Sequence, residues 1–163
     1  LMTRFDGVGV VNIFNNEVIP RVQCTWAKMG VIISRDQVKQ MADNLSKRSP
    51  SELVYTDTTY RLFVFNSLAT LDRFRWSFNR KGVSKCRLCR EYKENVEHLF
   101  LTCNKSISFY GSVGVVPTVT NLLMLVPLEF EARVRVQCAI HSVWVAATNG
   151  IDPVKTFKSC LRL

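Results

Sequence analysis

Apolar residues recur along much of this chain at intervals of three and four, the period of helices with one buried face. After Ser34, the positions Val38, Met41, Ala42 and Leu45 follow that spacing. Ser34 with Gln37 three residues on supplies a capping box, and Pro50 sets the stop within "SKRSPSE", because the residue before a proline is driven out of the helical region. The spacing predicts a helix over 36–47. A second, over 58–69 in "TTYRLFVFNSLA", places Tyr60, Phe63, Val64, Ser67 and Leu68 on one face. A third, over 71–81 in "LDRFRWSFNRKG", carries the stripe Leu71, Phe74 and Phe78, with Gly82 as its stop. "NLLMLVPLEF" reads as a short buried helix between Pro117 and Pro127. The longest pattern, over 131–148, puts Val136, Ala139, Ile140, Val143, Trp144 and Ala147 on one side and ends at Asn149-Gly150.

The first 33 residues are rich in valine and isoleucine instead, which suggests one or two short N-terminal strands such as "GVVNIF". The expected class is therefore mainly α. An N-terminal extension over 1–55 with one or two helices precedes a small helical domain over 56–163, and the helices share a core that includes Leu45, Phe63, Leu71, Phe74, Ile140 and Val143. With 163 residues, 47% of them hydrophobic, the chain can bury one substantial core.

Chemistry concentrates in "CRLCREYKENVEHLFLTC", which reads Cys-x2-Cys-x8-His-x4-Cys. Cys86, Cys89, His98 and Cys103 supply four donors that suit a tetrahedral zinc ion, and a two-residue gap lets one tight turn aim both leading sulfurs at one point. This predicts a CCHC zinc knuckle over 85–104 holding Zn2+. Lys85, Arg87 and Arg90 are expected to keep the thiolates ionised. His98 and Cys103 lie five positions apart, so a helix starting at Val96 must end or bend for both to reach one ion, and "TCN" suits such an end. The ordinary alternative, buried cysteines acting as small hydrophobes, is the reading for Cys24, Cys138 and Cys160. His141 sits inside the apolar stripe of the late helix with no cysteine near it in sequence, and reads as a packed histidine.

Lys and Arg number 22 against 13 Asp and Glu, a formal charge of +9 that favours a polyanion, with nucleic acid ahead of an anionic membrane. Eight of the cations fall between Arg73 and Lys93, interleaved with Phe74, Trp76, Phe78 and Tyr92. Phe74 and Phe78 fit the helical stripe and read as core, whereas Trp76 lies off it. The candidate nucleic-acid contacts are Arg73, Arg75, Trp76, Arg80, Lys81, Lys85, Arg87 and Arg90, with RNA preferred to DNA. No P-loop, nucleophile elbow or Gly-rich dinucleotide loop occurs, and four protein ligands leave a zinc ion no open position for water, so no enzyme is expected. No apolar run approaches the roughly 18–20 residues of a spanning helix. No membrane association is expected, and the location is intracellular, nuclear or mitochondrial.

The run from Tyr60 to Tyr110 resembles the zinc-binding region that follows the polymerase in non-LTR (LINE-like) retrotransposon reverse transcriptases. The shared pattern is an aromatic-rich helix, a Leu-x-Thr-x-Asp-Arg turn (Leu68, Thr70, Asp72, Arg73), Gly82, Cys-x-Leu-Cys, and Val-Glu-His-Leu-Phe before the last cysteine. "AIHSVWVAA" is similar to the Trp-containing helix that follows in that family. The resemblance implies a zinc-pinned helical module that handles template RNA or target DNA, with Cys86, Cys89, His98 and Cys103 as its metal ligands. It departs at Arg87 and Asn104, where the family carries proline, and "YTDT" lacks the second carboxylate of a polymerase motif and reads as a helix cap. The expected function is a non-catalytic nucleic-acid-binding zinc module of retroelement origin. The alternative is a structural RNA-binding protein, beside other proteins, of a large ribonucleoprotein such as a mitochondrial ribosome.

Overall fold

A computed structural model describes residues 13–47, 54–74 and 84–161, and these are mainly helical. Helix α1 (Ile19–Ala27) is preceded by a π turn over Phe14–Val18, and α2 spans Arg35–Ser46. Helix α3 covers Val54–Val64, a 3-10 turn Leu71–Phe74, and α4 Asn104–Ser112 after a second π turn at His98–Thr102. A single turn α5 (Val119–Leu122) leads to the long α6 (Phe130–Asn149) and to α7 (Pro153–Leu161).

Helix α6 organises the body, because α3, α7, α5 and the second π turn all pack against it. Its buried face holds Val136, Ala139, Ile140, Val143 and Ala147 as the spacing predicts, with Trp144 only half-buried. Gly150 closes it at φ 68, a left-handed position that a residue with a Cβ takes at a cost, and its N–H caps Ala146. On α3, Tyr60, Phe63, Val64 and the following Leu68 are buried while Ser67 is exposed. Phe63 is the hub of an aromatic cluster, 5.4 Å from Trp26, 5.7 Å from Tyr60 and 4.9 Å from Phe100 between ring centroids.

The polar ends of these rings are satisfied by backbone. Trp26 Nε1 donates to the Val64 carbonyl at 2.8 Å, and Tyr60 Oη donates to that of Leu122 at 2.6 Å. The Ser34 capping box is formed: the Gln37 N–H donates to Ser34 Oγ and the Ser34 N–H to Gln37 Oε1. On α2, Val38 and Met41 are buried, with Ala42 and Leu45 half-buried. Asn44, on the same helix, is also buried: its amide donates to the carbonyls of Met124 and Val126 at 3.0 and 2.9 Å, tying α2 to the chain that enters α6.

Several expectations change. Among the described residues there is no strand, only an isolated antiparallel bridge between Lys85 and Lys93. Of "GVVNIF", Ile13 and Phe14 are helical, and 9–12 lie outside the described residues. The β-branched composition is overridden by burial: Ile19, Val22 and Trp26 line up at helical spacing, and Pro20 sits in the first turn, where its missing N–H costs nothing. Helix α3 starts earlier and stops earlier than 58–69, and its end is followed by Asn66 at φ 52. "YTDT" lies in the first turns of α3, not at a cap, with Asp57 accepting from Arg61 Nε at 2.9 Å. Leu71 is half-buried in the 3-10 turn; the side chain of Phe74 and all of 75–83, hence the rest of the 71–81 helix, Phe78 and Gly82, lie outside the described residues. Only Val119–Leu122 of the stretch between the prolines is helical. Cys24 is exposed on the solvent side of α1, contrary to its reading as core, while Cys138 is buried and Cys160 half-buried.

Candidate metal centre

The cluster is built from a hairpin and a widened helical turn. Ser84–Cys86 runs antiparallel to Tyr92–Glu94: the Cys86 N–H donates to the Tyr92 carbonyl at 2.6 Å and the Glu94 N–H to that of Ser84 at 2.8 Å. Between them the chain doubles back through Arg87–Glu91, closed by the Arg90 N–H on the Cys86 carbonyl at 2.8 Å, with Arg90 at φ 61. That turn presents the sulfurs of Cys86 and Cys89 to one point.

The second pair comes from the turn after Val96. Asn95 Oδ1 accepts from the His98 N–H at 2.7 Å and starts the turn. His98–Thr102 is then wound as a π turn, and the Cys103 N–H donates to the His98 carbonyl at 2.6 Å. A π turn closes five residues apart and brings His98 and Cys103 to the same side, which an α-helix would not do. The bend that the spacing requires is this extra residue per turn. Cys103, at ψ 125, leaves the helical region and passes straight into α4.

The ligand atoms of Cys86, Cys89, His98 and Cys103 all lie within 4.8 Å of one another. Cys86 Sγ is 3.9 Å from Cys103 Sγ, and Cys89 Sγ is 3.2 Å from His98 Nε2. The edge of a tetrahedron with metal–sulfur bonds of about 2.3 Å is about 3.8 Å, so one ion fits between the four donors. Their geometry and chemistry define a possible metal site, three soft sulfurs and one imidazole nitrogen. His98 Nδ1 lies 3.2 Å from Thr102 Oγ1; a proton on Nδ1 leaves the Nε2 lone pair for the metal.

The two leading thiols differ electrostatically. Burial pushes Cys86 up to about 12. Burial also opposes ionisation of Cys89, but the backbone N–H groups of Glu91 and Tyr92 and the ring of His98 outweigh it and bring the thiol down to about 6. The groups that favour its thiolate are therefore backbone amides, an imidazole and the Cys86 thiol, not the neighbouring basic side chains.

The candidate nucleic-acid residues separate. Lys85 and Arg90 are exposed on the hairpin, as is Lys93. Arg87 turns inward: its Nη2 donates to Glu94 Oε1 at 2.6 Å, and its guanidinium carbon sits 5.7 Å from the Trp144 ring centroid. Arg73 is exposed and donates to the Asn66 carbonyl. Arg75, Trp76, Arg80 and Lys81 lie outside the described residues. Glu94 is the residue that sequence reasoning missed, since an acidic residue in a polar loop gives no sign of burial. His141 is packed as expected, with Nδ1 3.1 Å from Thr59 Oγ1, and burial lowers its pKa.

No helix among the described residues is long and apolar enough to cross a membrane. No known family model matches the chain, and no curated protein or solved structure matches it significantly.

Proposed function

We propose that this chain is a non-catalytic nucleic-acid-binding module whose loop region is pinned by one structural zinc ion, and that its partner is RNA in preference to DNA. The observation that carries the reading is the convergence of Cys86, Cys89, His98 and Cys103 on one point, between a π turn and a hairpin that carries exposed Lys85, Arg90 and Lys93. Three sulfurs and one imidazole match the ligand preference of zinc, and four protein donors complete a tetrahedron without a position for substrate or water. A rigid loop holds its cations in place at low entropic cost, and cations so held neutralise phosphates. The resemblance to the region after the polymerase of non-LTR retrotransposon reverse transcriptases, carried by the same four ligands, supports a retroelement origin.

Two measurements test it. Elemental analysis of the purified chain should give one zinc per chain; a stoichiometric absence of zinc overturns the metal assignment. Binding of a single-stranded RNA oligonucleotide across a salt series should weaken when Lys85, Arg90 and Lys93 are replaced by Ala together, and the slope of log K against log salt should flatten by about one unit per residue that contacts phosphate. Unchanged affinity and slope with zinc still bound would make the hairpin cations solvent decoration.

A further inference from the structure

Beside the metal cluster lies an open hollow of about 360 Å³ lined by Glu91, Tyr92, His98, Thr102 and Asn104. Its chemistry is unusual for a patch on a basic loop. Tyr92 is 63% exposed, and its ring is 5.4 Å from that of His98 between centroids, tilted by 48°. Its backbone is fixed by the bond from the Cys86 N–H, so the ring projects from a rigid hairpin instead of a mobile loop. Glu91 and Asn104 are exposed beside it, and neither side chain takes part in a hydrogen bond or ion pair within the described residues.

Among the described residues no cation lines the hollow, and a carboxylate does. That composition repels a phosphate. Exposed cations follow or precede the lining residues in sequence: Arg90 before Glu91, Lys93 after Tyr92 and Lys105 after Asn104. An aromatic face, a carboxylate that only accepts and a carboxamide that accepts and donates together suit an unpaired nucleobase, and exposed cations one residue along the chain can neutralise its flanking phosphates. Among the bases, guanine presents two adjacent donors, N1–H and the N2 amino group, to a carboxylate, while its O6 accepts. Uracil offers one donor on that edge and adenine no such pair.

We infer that this hollow is a subsite for an unpaired guanine of a single-stranded RNA, stacked on Tyr92, with Glu91 accepting from its N1–H and N2 amino group and Asn104 bonding its remaining polar edge. The inference rests on the nucleic-acid reading above and adds to it a base preference at a named place.

The test uses the full, metal-loaded chain. Oligouridylate strands carrying one central guanine, adenine, cytosine or hypoxanthine are titrated by fluorescence anisotropy, and guanosine 5′-monophosphate is titrated separately while amide shifts are followed. The guanine strand should bind about 5–150-fold more tightly than the adenine strand, the range for one well-made bidentate base contact. Hypoxanthine, which lacks the N2 amino group, should fall between. Glu91→Gln should erase the preference while leaving the salt slope unchanged, and Tyr92→Ala should weaken every strand by about 5–150-fold, with Tyr92→Phe close to the parent. Metal content and helicity measured on each variant separate lost contact from lost fold. Equal affinity for all four strands overturns the guanine subsite and leaves the nucleic-acid reading standing. Shifts from the mononucleotide centred on residues 91–104, without binding of any strand, would keep the subsite and overturn that reading. Neither shifts nor binding overturns both.

Discussion

Arg87 in the turn of the hairpin and Glu94 on its second arm, seven residues apart, form an ion pair whose carboxylate is wholly buried, with Nη2–Oε1 at 2.6 Å and Nε–Oε2 at 3.1 Å. The same carboxylate accepts from the backbone N–H of Arg87 at 2.9 Å and of Leu71 at 3.2 Å. Glu94 therefore joins the metal hairpin to the 3-10 turn, and Arg87, lying over Trp144, joins both to α6. An ion pair this well provided with hydrogen bonds is expensive to break from one side, because the remaining charge or N–H groups lose their partners without gaining water.

Glu94→Ala should therefore destabilise the chain by about 3–5 kcal/mol. Arg87→Lys keeps the charge but loses the two-point grip and should cost less. Denaturant unfolding of the two variants against the parent measures both; a Glu94→Ala cost near zero would mean that the hairpin docks on α6 through Trp144 alone.

The helical body was legible because its signals are local and redundant. Ser34 with Gln37, the α6 stripe ending at Gly150, and the Tyr60–Phe63–Val64 face each combine period with punctuation. Helix α1 was not, since Val10, Val11 and Ile13 read as strand by composition, and only the burial of Ile19, Val22 and Trp26, the last against Phe63 of α3, decides the matter. The four residues of the possible metal site were legible as a spacing, and even the need for a bend between His98 and Cys103 was. The inward turn of Arg87 was not. It depends on Glu94, Leu71 and Trp144, which meet only in the folded chain.

Asn44 makes a comparable link elsewhere. Its amide serves two carbonyls of the segment before α6, and its Oδ1 accepts from the Leu128 N–H at 3.4 Å. Met124, at φ 52, is held in the left-handed region within this segment. Asn44→Leu keeps the branching and heavy-atom count of the side chain but leaves those carbonyls without a donor, and should cost about 1–3 kcal/mol for each one left unpaired. A thermal scan showing no loss would mean that water takes over both positions.

Ile140 lies fully buried on α6, facing the helices that this element organises. Ile140→Ala should cost about 2–5 kcal/mol, the range for opening a cavity in a packed core. A cost near zero in denaturant unfolding would show that α6 is not the centre of the core.

His141 gives the body a pH dependence with a definite sign. Burial lowers its pKa from the usual 6.5, so the folded chain holds the ring neutral where the unfolded chain would protonate it. Its contribution is complete above about pH 6.5 and is lost as pH falls through the depressed folded value. Stability measured from pH 7.5 to 5.0 should decline for the parent, and the decline should be shallower in His141→Gln, which has no proton to take up. Parallel curves would place the acid sensitivity elsewhere.

Removal of a metal from this site is expected to reach further than the hairpin. The π turn that carries His98 also carries Leu99 and Phe100, both fully buried, and Phe100 contacts Phe63 at 4.9 Å and Trp144 at 6.4 Å between ring centroids. The carbonyls of Leu99 and Phe100 accept from Ser106 Oγ at 2.5 Å and Tyr110 Oη at 2.7 Å, so α4 is tied to the same turn. An ion that fixes His98 and Cys103 thus fixes part of the core, and ligand binding and folding are coupled. A metal held at a thousand times its dissociation constant stabilises the native state by about 4 kcal/mol. For a domain of this size that corresponds to roughly 8–16 °C in Tm. Chelation should lower the single thermal transition by an amount of this order, and Cys103→Ser should reproduce the shift without chelator. If chelation instead leaves Tm unchanged while amides over 84–95 alone lose exchange protection, the hairpin is a satellite that folds on its own metal, and the π turn is held by the core without it.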